Sequence, residues 1–562
     1  MTSPDERTTA VPRTTPRTVV PRTPPRTAVP RTTPRTAVPR TTAHTAVPRT
    51  TLRTVVAGHL ATDVLLPEGS GPFPAVLVRT PYDRARHLAE ARGWVRHGFA
   101  AVVQDVRGRF ASAGEWRPYE NETADGAATA RWIRRQPWSD GRYVAAGASY
   151  AAHCALVLAL QAGEEPGTRP DAVIAAVPAL GAAETAREPS GPERLLARAG
   201  WWAAHGDRRD SDDGALDKAL ATDPALLTHL PLTRLPERLG RSLPSWAGLW
   251  RHRERGRLVS RAAHATVPLL AVGGHHDHFA EDTLALWRNW GGPSARLLLG
   301  PWGHGLVTAP GPDAGPAHRV ALGALYARWA HRALAGALTP GRHGAVALGG
   351  ADLWLPAGGG GGEGAPAGEG VPRTQPLTVL AGSRFTADPE RPVRSDDLAV
   401  PTGGVPDRCL LAGPPLPYPL DAVGPVRVRL RAGADTPSAD WAVRLVALTP
   451  EGKGERLCVG VLRRRGPADG TFTVELGRIA RRLPAGTRLR LEIAGHHFPA
   501  HARNPHTGDD PVTAARLLPS RREVDPESVT LTLTVLAPVS GSASAPPASP
   551  SKPVDPAKEI LR

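Results

Sequence analysis

The 562-residue sequence contains few cysteines, no long hydrophobic run and no segment typical of a secretion signal. Its three cysteines, Cys154, Cys409 and Cys458, are too widely spaced for a disulfide framework or a Cys-x-x-Cys metal motif. No apolar run approaches the roughly 18 residues that a membrane span requires, and the N-terminus lacks the apolar stretch of a secretory signal. These absences predict a soluble, cytoplasmic protein.

The positive charge of the chain is unevenly distributed. The net charge is +16 at pH 7, but residues 1–56 hold ten arginines against two acids, which leaves the rest of the chain only mildly basic. Residues 12–56 repeat a unit of the form PRTTPRTAV, whose frequent prolines remove backbone donors and fix φ. We therefore expect residues 1–56 to be a disordered tail. The repeats contain no aromatic residue that could stack on bases, so nucleic acid is not an expected partner. Because the chain has no long apolar run, a membrane is not expected either.

The length of the chain and the order of its secondary-structure signals predict several domains. Apolar runs at 74–78, 100–103 and 143–146 alternate with helical stretches, which is typical of a parallel sheet covered by helices. A helical region follows, and then short alternating strands typical of a sandwich or jelly roll. The expected organisation is an α/β domain of residues 57–184 and 262–340, a helical cap inserted at residues 185–261, a β jelly roll of residues 341–538, and a disordered tail of residues 539–562.

One short segment, Gly147-Ala148-Ser149-Tyr150-Ala151, lies between a predicted strand and a helix predicted at 150–161. A serine at such a strand-to-helix turn is the nucleophile of an α/β-hydrolase, and its neighbours must be small because the turn is sharp and strained. The backbone N–H of Tyr150 would then point toward a developing oxyanion. A purely structural serine at a tight turn is the alternative.

A serine nucleophile needs a histidine base and an orienting carboxylate, which follow in the order Ser, Asp or Glu, His in this fold. Asp277 follows the predicted strand 267–272, and His304 follows the next predicted strand, 295–299, in a glycine-rich loop. Both are therefore expected in loops at the carboxyl ends of strands, as Ser149 is. A turn or helix-capping role is the alternative for Asp277.

The run His275-His276-Asp277-His278 superficially looks like a metal cluster. Adjacent side chains on an extended segment point to opposite sides, so they cannot converge on one ion as an i, i+4 pair on a helix would. We therefore expect no metal and no cofactor. His153, four residues after the candidate nucleophile, is expected to be packed rather than catalytic.

Further motifs occur in a characteristic order along the chain. They are RTPYDR at 79–84, QDVRGRF at 104–110, QPWSDG at 136–141, GASY at 147–150, GPWGH at 300–304, and FP followed by RNP within 498–505. With these motifs the sequence resembles the CocE/NonD family of serine hydrolases, which is related to the X-prolyl dipeptidyl-peptidases. The likeness covers roughly residues 52–538 and implies an α/β-hydrolase domain with a helical cap and a C-terminal jelly roll.

The resemblance implies roles for individual residues. Ser149, Asp277 and His304 would form the catalytic triad. The backbone N–H of Tyr150 and the phenol of Tyr82 would form the oxyanion hole.

The resemblance also singles out two positions that would shape the substrate pocket and one that would shape the turn around Ser149. Position 275 is often tryptophan in the family, so His275 would change the pocket, with Trp302 close by. Ala152 stands where the family usually has glycine, three residues after the nucleophile. Its methyl group would tighten the turn without blocking it.

Three functions fit the sequence. The first is an acyl-ester hydrolase that cleaves ester, and in some cases amide, bonds through an acyl-enzyme. The second is an X-prolyl dipeptidyl-peptidase, which would need acids to hold a substrate α-amine; Glu184, Glu188 and Glu193 are candidates for that task. The third is a binding protein that uses the jelly roll and carries a relic hydrolase domain. The expected substrate is a small-molecule ester or a short peptide, and the sequence leaves the oligomeric state open.

Overall fold

A ten-stranded sheet whose central strands are largely buried forms the first part of the computed structural model, which describes residues 50–161, 167–358, 371–400, 405–466, 469–536 and 553–562. In chain order the first strands are β1 (Thr50–Val56), β2 (Leu60–Leu66), β3 (Phe73–Thr80), β4 (Ala100–Asp105), β5 (Ser139–Ala148), β6 (Ala172–Ala176), β7 (Leu269–Gly274), β8 (Ser294–Gly300), a small hairpin of β9 (Trp302–Gly303) and β10 (Leu306–Pro310), then β11 (Gly341–Leu348) and β12 (Leu353–Ala357). The sheet order is β1-β2-β4-β3-β5-β6-β7-β8-β11-β12. The strands from β4 to β11 in this order are parallel, and β2 and β12 pair antiparallel with them.

Helices cover both faces of this sheet because successive strand residues point to opposite sides. On β5, Tyr143 and Ala145 belong to one apolar core, and Val144 and Ala146 belong to the other. The helices are α1 (Leu88–Arg96), α2 (Glu122–Arg134), α3 (Tyr150–Ala159), α4 (Ala182–Ala186), α5 (Leu195–His205), α6 (Ala215–Thr222), α7 (Leu235–Leu239), α8 (Trp246–Leu249), α9 (Arg257–Ala262), α10 (Ala280–Asn289) and α11 (Leu322–Leu334). Helices α2, α3 and α10 pack on the first core, and α1 and α11 pack on the second.

The six helices from α4 to α9 lie between β6 and β7; α9 packs on the first core of the sheet, and α4 to α8 share an apolar core of their own. Trp202, Trp246 and Trp250 are buried in that core together with several leucines. Phe498 and Val512, from a distant part of the chain, belong to the same core. This helical insertion, which we call the cap, is therefore packed against the C-terminal part of the chain.

The C-terminal strands form two antiparallel sheets that enclose a third core. They are β13 (Val371–Gln375), β14 (Thr378–Ala381), β15 (Arg384–Ala387), β16 (Arg408–Ala412), β17 (Leu420–Ala434), β18 (Ser438–Leu448), β19 (Gly454–Arg465), β20 (Gly470–Leu483), β21 (Arg488–Ala494) and β22 (Ser520–Val535). One sheet has the order β13-β22-β17-β20 with β15 also paired to β22, and the other has the order β14-β16-β21-β18-β19. Inward-facing residues such as Val428, Leu430, Trp441 and Leu491 fill the space between them.

The structure differs from the sequence prediction at three places. Residues 50–56, predicted as part of the disordered tail, form β1, an edge strand paired with β2, whereas residues 1–49 lie outside the described residues. Strands β11 and β12 extend the first sheet past the boundary predicted at residue 340, because β11 pairs in parallel with β8. The predicted tail 539–562 ends in a short helix, α12 (Pro556–Leu561), and residues 537–552 lie outside the described residues.

Helix α12 forms because the sequence supplies its start and its anchor. The Asp555 side chain accepts a hydrogen bond from the Ala557 N–H, and Pro556 occupies the first helical position. Ile560 is fully buried in the second core. Arg296 donates to the backbone carbonyl of Arg562, so the last residues are held against the α/β sheet.

In the described residues, no helix is both long enough and apolar enough to cross a membrane.

Candidate active site

Ser149 occupies a strained turn between the end of β5 and the start of α3. Its φ of 57° lies in the left-handed region, which a residue with a Cβ rarely adopts. The backbone is held there by a hydrogen bond of 2.9 Å from the Ser149 N–H to the Ala176 carbonyl. A Cβ at position 147 would lie 2.4 Å from the backbone carbon of Ala151, so Gly147 is required by the close approach of strand and helix. These features are those of a nucleophile elbow.

Tyr82, just beyond the end of β3, places its phenol beside the serine. The Tyr82 hydroxyl lies 3.5 Å from Ser149 Oγ and accepts a hydrogen bond of 3.1 Å from Trp201 Nε1. The backbone N–H of Tyr150 also interacts with this phenol oxygen. Because Trp201 occupies an acceptor site on the oxygen, the hydroxyl proton is free to be donated toward Ser149. Burial raises the pKa of Tyr82, so the phenol is a neutral donor near pH 7.

A buried polar network holds the side chain of Tyr150, the other residue predicted for the oxyanion hole. Its hydroxyl donates to Glu122 Oε1 at 2.8 Å and accepts from the Tyr119 N–H at 2.7 Å. Glu122 lies 3.2 Å from the Arg79 guanidinium, and both side chains are almost inaccessible. Burial raises the pKa of Glu122 above its ordinary value even though Arg79 opposes that effect. Sequence reasoning missed Glu122, because nothing in its local pattern indicates that it lies beneath the elbow.

Asp277 and His304 are brought together across 27 residues of sequence. His304 Nδ1 lies 2.9 Å from Asp277 Oδ1, and the Asp277 side chain is fully buried whereas the His304 side chain is 42% exposed. His304 lies in the turn of the β9–β10 hairpin, next to the loop that follows β7 and carries Asp277. The bond to Nδ1 leaves Nε2 as the ring nitrogen available to a reacting group.

His278 is a second partner of the same carboxylate and was not predicted. Its Nδ1 lies 3.3 Å from Asp277 Oδ1, and its ring stacks on His304 with centroids 5.2 Å apart. Burial lowers the pKa of His278 to about 4, so it is neutral near pH 7 and adds no charge beside His304.

The structure therefore presents two pairs of predicted site residues, Ser149 with Tyr82 and His304 with Asp277. Tyr82, Ser149 and Asp277 follow the parallel strands β3, β5 and β7, and His304 follows β8 and β9, so all four lie at the carboxyl edge of the sheet. Among the described residues no hydrogen bond joins Ser149 to His304. Such contacts are often long in unliganded enzymes and shorten only when substrate is bound.

Trp302, predicted to shape the substrate pocket, is a core residue in this structure. It is 1% exposed, packs on Trp354 with ring centroids 5.9 Å apart, and donates from Nε1 to the His318 carbonyl at 3.2 Å. It faces α11 and β12 because glycines on either side let the chain turn its ring inward: a Cβ at Gly300 would lie 2.3 Å from that ring. Trp302 was predicted to shape the substrate pocket, but in the structure its ring packs in the core.

His275, the other predicted pocket residue, contacts the same face of the sheet as Trp302. Its backbone N–H donates to the Gly300 carbonyl at 2.9 Å, and its ring interacts with the backbone of Ala347 on β11. Burial lowers the pKa of His275 to about 4. His153 is buried as predicted, with Nδ1 3.2 Å from the Leu180 carbonyl.

Asp277, His278 and His304 also form the one cluster of three potential metal ligands found among the described residues, with ligand atoms within 4.8 Å of one another. This cluster differs from the one that the run of residues 275–278 suggested. It does not include His275 or His276, and its third member is the distant His304. The Asp277 carboxylate of this cluster already contacts His304 Nδ1 through Oδ1.

A separate surface groove of about 860 Å³ lies on the jelly roll. Its walls carry charges of both signs, including Arg431, Asp435 and Arg521, and it contains none of the residues predicted for catalysis.

Sequence and structure comparisons show which known proteins the chain is similar to. Residues 58–306 match the profile of the X-Pro dipeptidyl-peptidase (S15 family), and residues 386–534 match the X-Pro dipeptidyl-peptidase C-terminal non-catalytic domain. The chain is 27% identical over 541 residues to the cocaine esterase of Rhodococcus sp. (strain MB1 Bresler), covering 80% of this chain and 90% of that protein. Among solved structures it is similar to an α-amino acid ester hydrolase, with a TM-score of 0.69 and 19% identity over 89% of this chain and 100% of that one. It is also similar to a CocE/NonD family hydrolase from Staphylococcus aureus, with a TM-score of 0.55 and 13% identity over 86% of this chain and 93% of that one.

The chain belongs to the CocE/NonD-like serine hydrolases. The predictions of the family, of an α/β-hydrolase domain followed by a jelly roll, and of a hydrolytic enzyme are confirmed. The chain is therefore a hydrolase that acts on acyl bonds, and its substrates are small molecules or peptides.

In this CocE/NonD-like hydrolase, the three cap acids considered for binding a substrate amine already have partners within the protein. Glu193 lies 2.9 Å from Arg463 Nη2 on β19, and Glu188 lies 2.8 Å from Arg194 Nη2. Glu184 accepts a hydrogen bond of 2.7 Å from the backbone N–H of Gly256. Burial alone would raise the pKa of Glu188, but Arg194 and a nearby histidine lower it below its ordinary value.

Proposed function

We propose that this CocE/NonD-like hydrolase is a carboxylic-ester hydrolase that works through an acyl-enzyme on Ser149. The observation that supports the proposal is that two pairs, Ser149 with Tyr82 and Asp277 with His304, both follow strands at the carboxyl edge of the parallel sheet. The pairs supply a nucleophile, an oxyanion donor, a base and the carboxylate that orients the base, which is the full set that acyl transfer requires.

The proposed reaction has two halves. Ser149 Oγ attacks the ester carbonyl while His304 Nε2 accepts its proton, and Asp277 stabilises the resulting imidazolium. The oxyanion accepts hydrogen bonds from the Tyr82 hydroxyl and the Tyr150 N–H. His304 returns the proton to the leaving alcohol, and a water molecule activated by the same ring then releases the acid from Ser149.

Charges around the site favour an ester substrate over the X-prolyl peptide that a dipeptidyl-peptidase, the main alternative, would cleave. A dipeptidyl-peptidase must hold a protonated α-amine, and the candidates Glu184, Glu188 and Glu193 are already engaged within the protein. The buried cation Arg198 lies close to Tyr82 and would repel an ammonium group.

A fluorophosphonate probe tests the nucleophile. The wild-type protein should be labelled, Ser149→Ala should not be labelled, and Ser260→Ala, whose serine is exposed on α9, should be labelled like the wild type. Equal labelling of wild type and Ser149→Ala would refute the assignment of Ser149. Absence of labelling in the wild type would favour the third function, a binding protein built on the jelly roll.

A second experiment separates the esterase from the dipeptidyl-peptidase. We expect hydrolysis of p-nitrophenyl butyrate, and no advantage of Ala-Pro-p-nitroanilide over its N-acetylated form. A dipeptidyl-peptidase would cleave the free-amine substrate and reject the acetylated one, because its pocket recognises the charge. That outcome, together with poor ester hydrolysis, would replace the esterase proposal with the alternative.

A further inference from the structure

Arg198 is a buried arginine in the cap, next to the reacting groups. It lies on α5 and is 4% exposed. Its guanidinium carbon lies 5.3 Å from the ring centroid of Trp201 and 4.9 Å from that of Trp202. Trp201 donates to Tyr82, and Tyr82 contacts Ser149. The guanidinium is therefore separated from the nucleophile by only two side chains.

No acid within the described residues neutralises Arg198, since no Asp or Glu forms an ion pair with it. Its Nε and Nη2 atoms are buried and have no hydrogen-bond acceptor there. The polar neighbours are the phenols of Tyr82 and Tyr119, and burial raises the pKa of each, so both stay uncharged near pH 7. Arg194, the residue that caps the N-terminus of α5, is also a cation, and Glu188 is already paired with it.

Other buried arginines near the cap have partners that explain their burial. Arg187 and Arg463 pair with Glu193, and Arg109 donates to backbone carbonyls including those of Pro81 and Asp210. A buried charge without a partner is strongly destabilising. The aromatic faces on Arg198 offset part of that cost, and Tyr119 forms a side-chain hydrogen bond with the guanidinium, but Nε and Nη2 are left without an acceptor among the described residues. Those donors suit the two oxygens of a carboxylate, which a guanidinium binds in bidentate fashion.

We propose that Arg198 binds a carboxylate carried by the ester substrate. This inference rests on the proposed esterase function and specifies its substrate class. The preferred substrate is an ester with a second, anionic group, either on the acyl part, as in a dicarboxylic acid monoester, or on the alcohol part. The carboxylate neutralises the cap cation while the ester carbonyl lies at Ser149.

Two matched substrate pairs test both positions of the carboxylate. Monomethyl adipate is compared with methyl hexanoate, and 4-acetoxybenzoate is compared with phenyl acetate. For at least one pair, the wild type should show a kcat/KM roughly 10- to 100-fold higher for the anionic ester, the range expected for a charge-assisted hydrogen bond. Arg198→Met should bring this ratio close to one, and Arg198→Lys should retain part of it. Arg234→Met, at an exposed cap arginine paired with Glu237, should leave the ratio unchanged.

Calorimetry covers the case in which Arg198→Met does not fold. Adipate or 4-hydroxybenzoate should bind to Ser149→Ala protein at least about tenfold more tightly than the matching neutral amides, adipamide and 4-hydroxybenzamide. If neither the kinetic nor the calorimetric comparison shows a preference for the anion, the proposed role of Arg198 is overturned. Hydrolysis of the neutral esters would in that case still support the esterase function. Failure to hydrolyse any of the four esters, together with no probe labelling at Ser149, would overturn the proposed function itself. Anion binding to Ser149→Ala would then still support the carboxylate site.

Discussion

Replacing Tyr82 with phenylalanine isolates the oxyanion donor from the rest of the site. The change removes one hydroxyl that lies 3.5 Å from Ser149 Oγ and retains the ring, which packs edge-on against His205 with centroids 5.0 Å apart. The substrate pocket should therefore keep its shape. Trp201 Nε1 loses its acceptor, which costs about 1 kcal/mol or somewhat more in folding stability.

The kinetic effect should be much larger than the effect on stability. One oxyanion-hole donor contributes about 3 kcal/mol to transition-state stabilisation, which corresponds to roughly a 10²-fold loss in kcat. The donor acts on the charge that develops in the transition state rather than on the neutral ester, so KM should change little.

Steady-state hydrolysis of p-nitrophenyl butyrate measures both constants. Tyr326→Phe is a matched control, because the Tyr326 hydroxyl is buried in α11 without a hydrogen-bond partner among the described residues. That control should keep the wild-type kcat. An unchanged kcat in Tyr82→Phe would refute the reasoning, and a raised KM with unchanged kcat would mean that the phenol binds substrate without stabilising the oxyanion.

Three further predictions concern the elbow, its buried support and the effect of pH. Gly147→Ala should abolish ester hydrolysis and lower the Tm, because its Cβ would overlap the backbone of α3, whereas Gly323→Ala, with open space around it, should do neither. Glu122→Gln should lower the Tm, since breaking a buried ion pair costs about 3–5 kcal/mol. Burial lowers the pKa of His153 and of His506 to about 4, so the stability they contribute is complete above pH 6.5 and is lost as the pH falls toward 4. By pH 5 the loss should be about 2 kcal/mol for each histidine, which a Tm measured against pH would detect.

Each of these three predictions has an outcome that contradicts it. Ester hydrolysis retained in Gly147→Ala would mean that the elbow tolerates a wider separation of β5 and α3. A Tm of Glu122→Gln equal to that of Glu115→Gln, whose carboxylate is exposed, would show that the buried pair contributes nothing. A Tm that is the same at pH 7 and pH 5 would mean that the buried histidines take up protons without unfolding the chain.

Much of the α/β domain was predictable because its strands and its elbow are local patterns. The predicted strand 100–103 is the first part of β4, and the predicted helix 150–161 begins where α3 begins. Small residues on both sides of Ser149 reflect contacts within a few positions of one another. Asp277 and His304 could be proposed because each directly follows a predicted strand, and the loops after neighbouring parallel strands meet at one edge.

The sequence by itself determined the order of the layers, the elbow around Ser149 and the candidate triad, since these depend on periodicity and on residues near one another in the chain. Only the tertiary structure decided which charges are paired. Glu193 meets Arg463 across 270 residues, whereas Arg198 meets no acid at all among the described residues. It also decided that β11 extends the first sheet and that Trp302 belongs to the core. The physical reason is that a local pattern encodes whether a side chain is buried, but its partner is fixed by how distant segments pack.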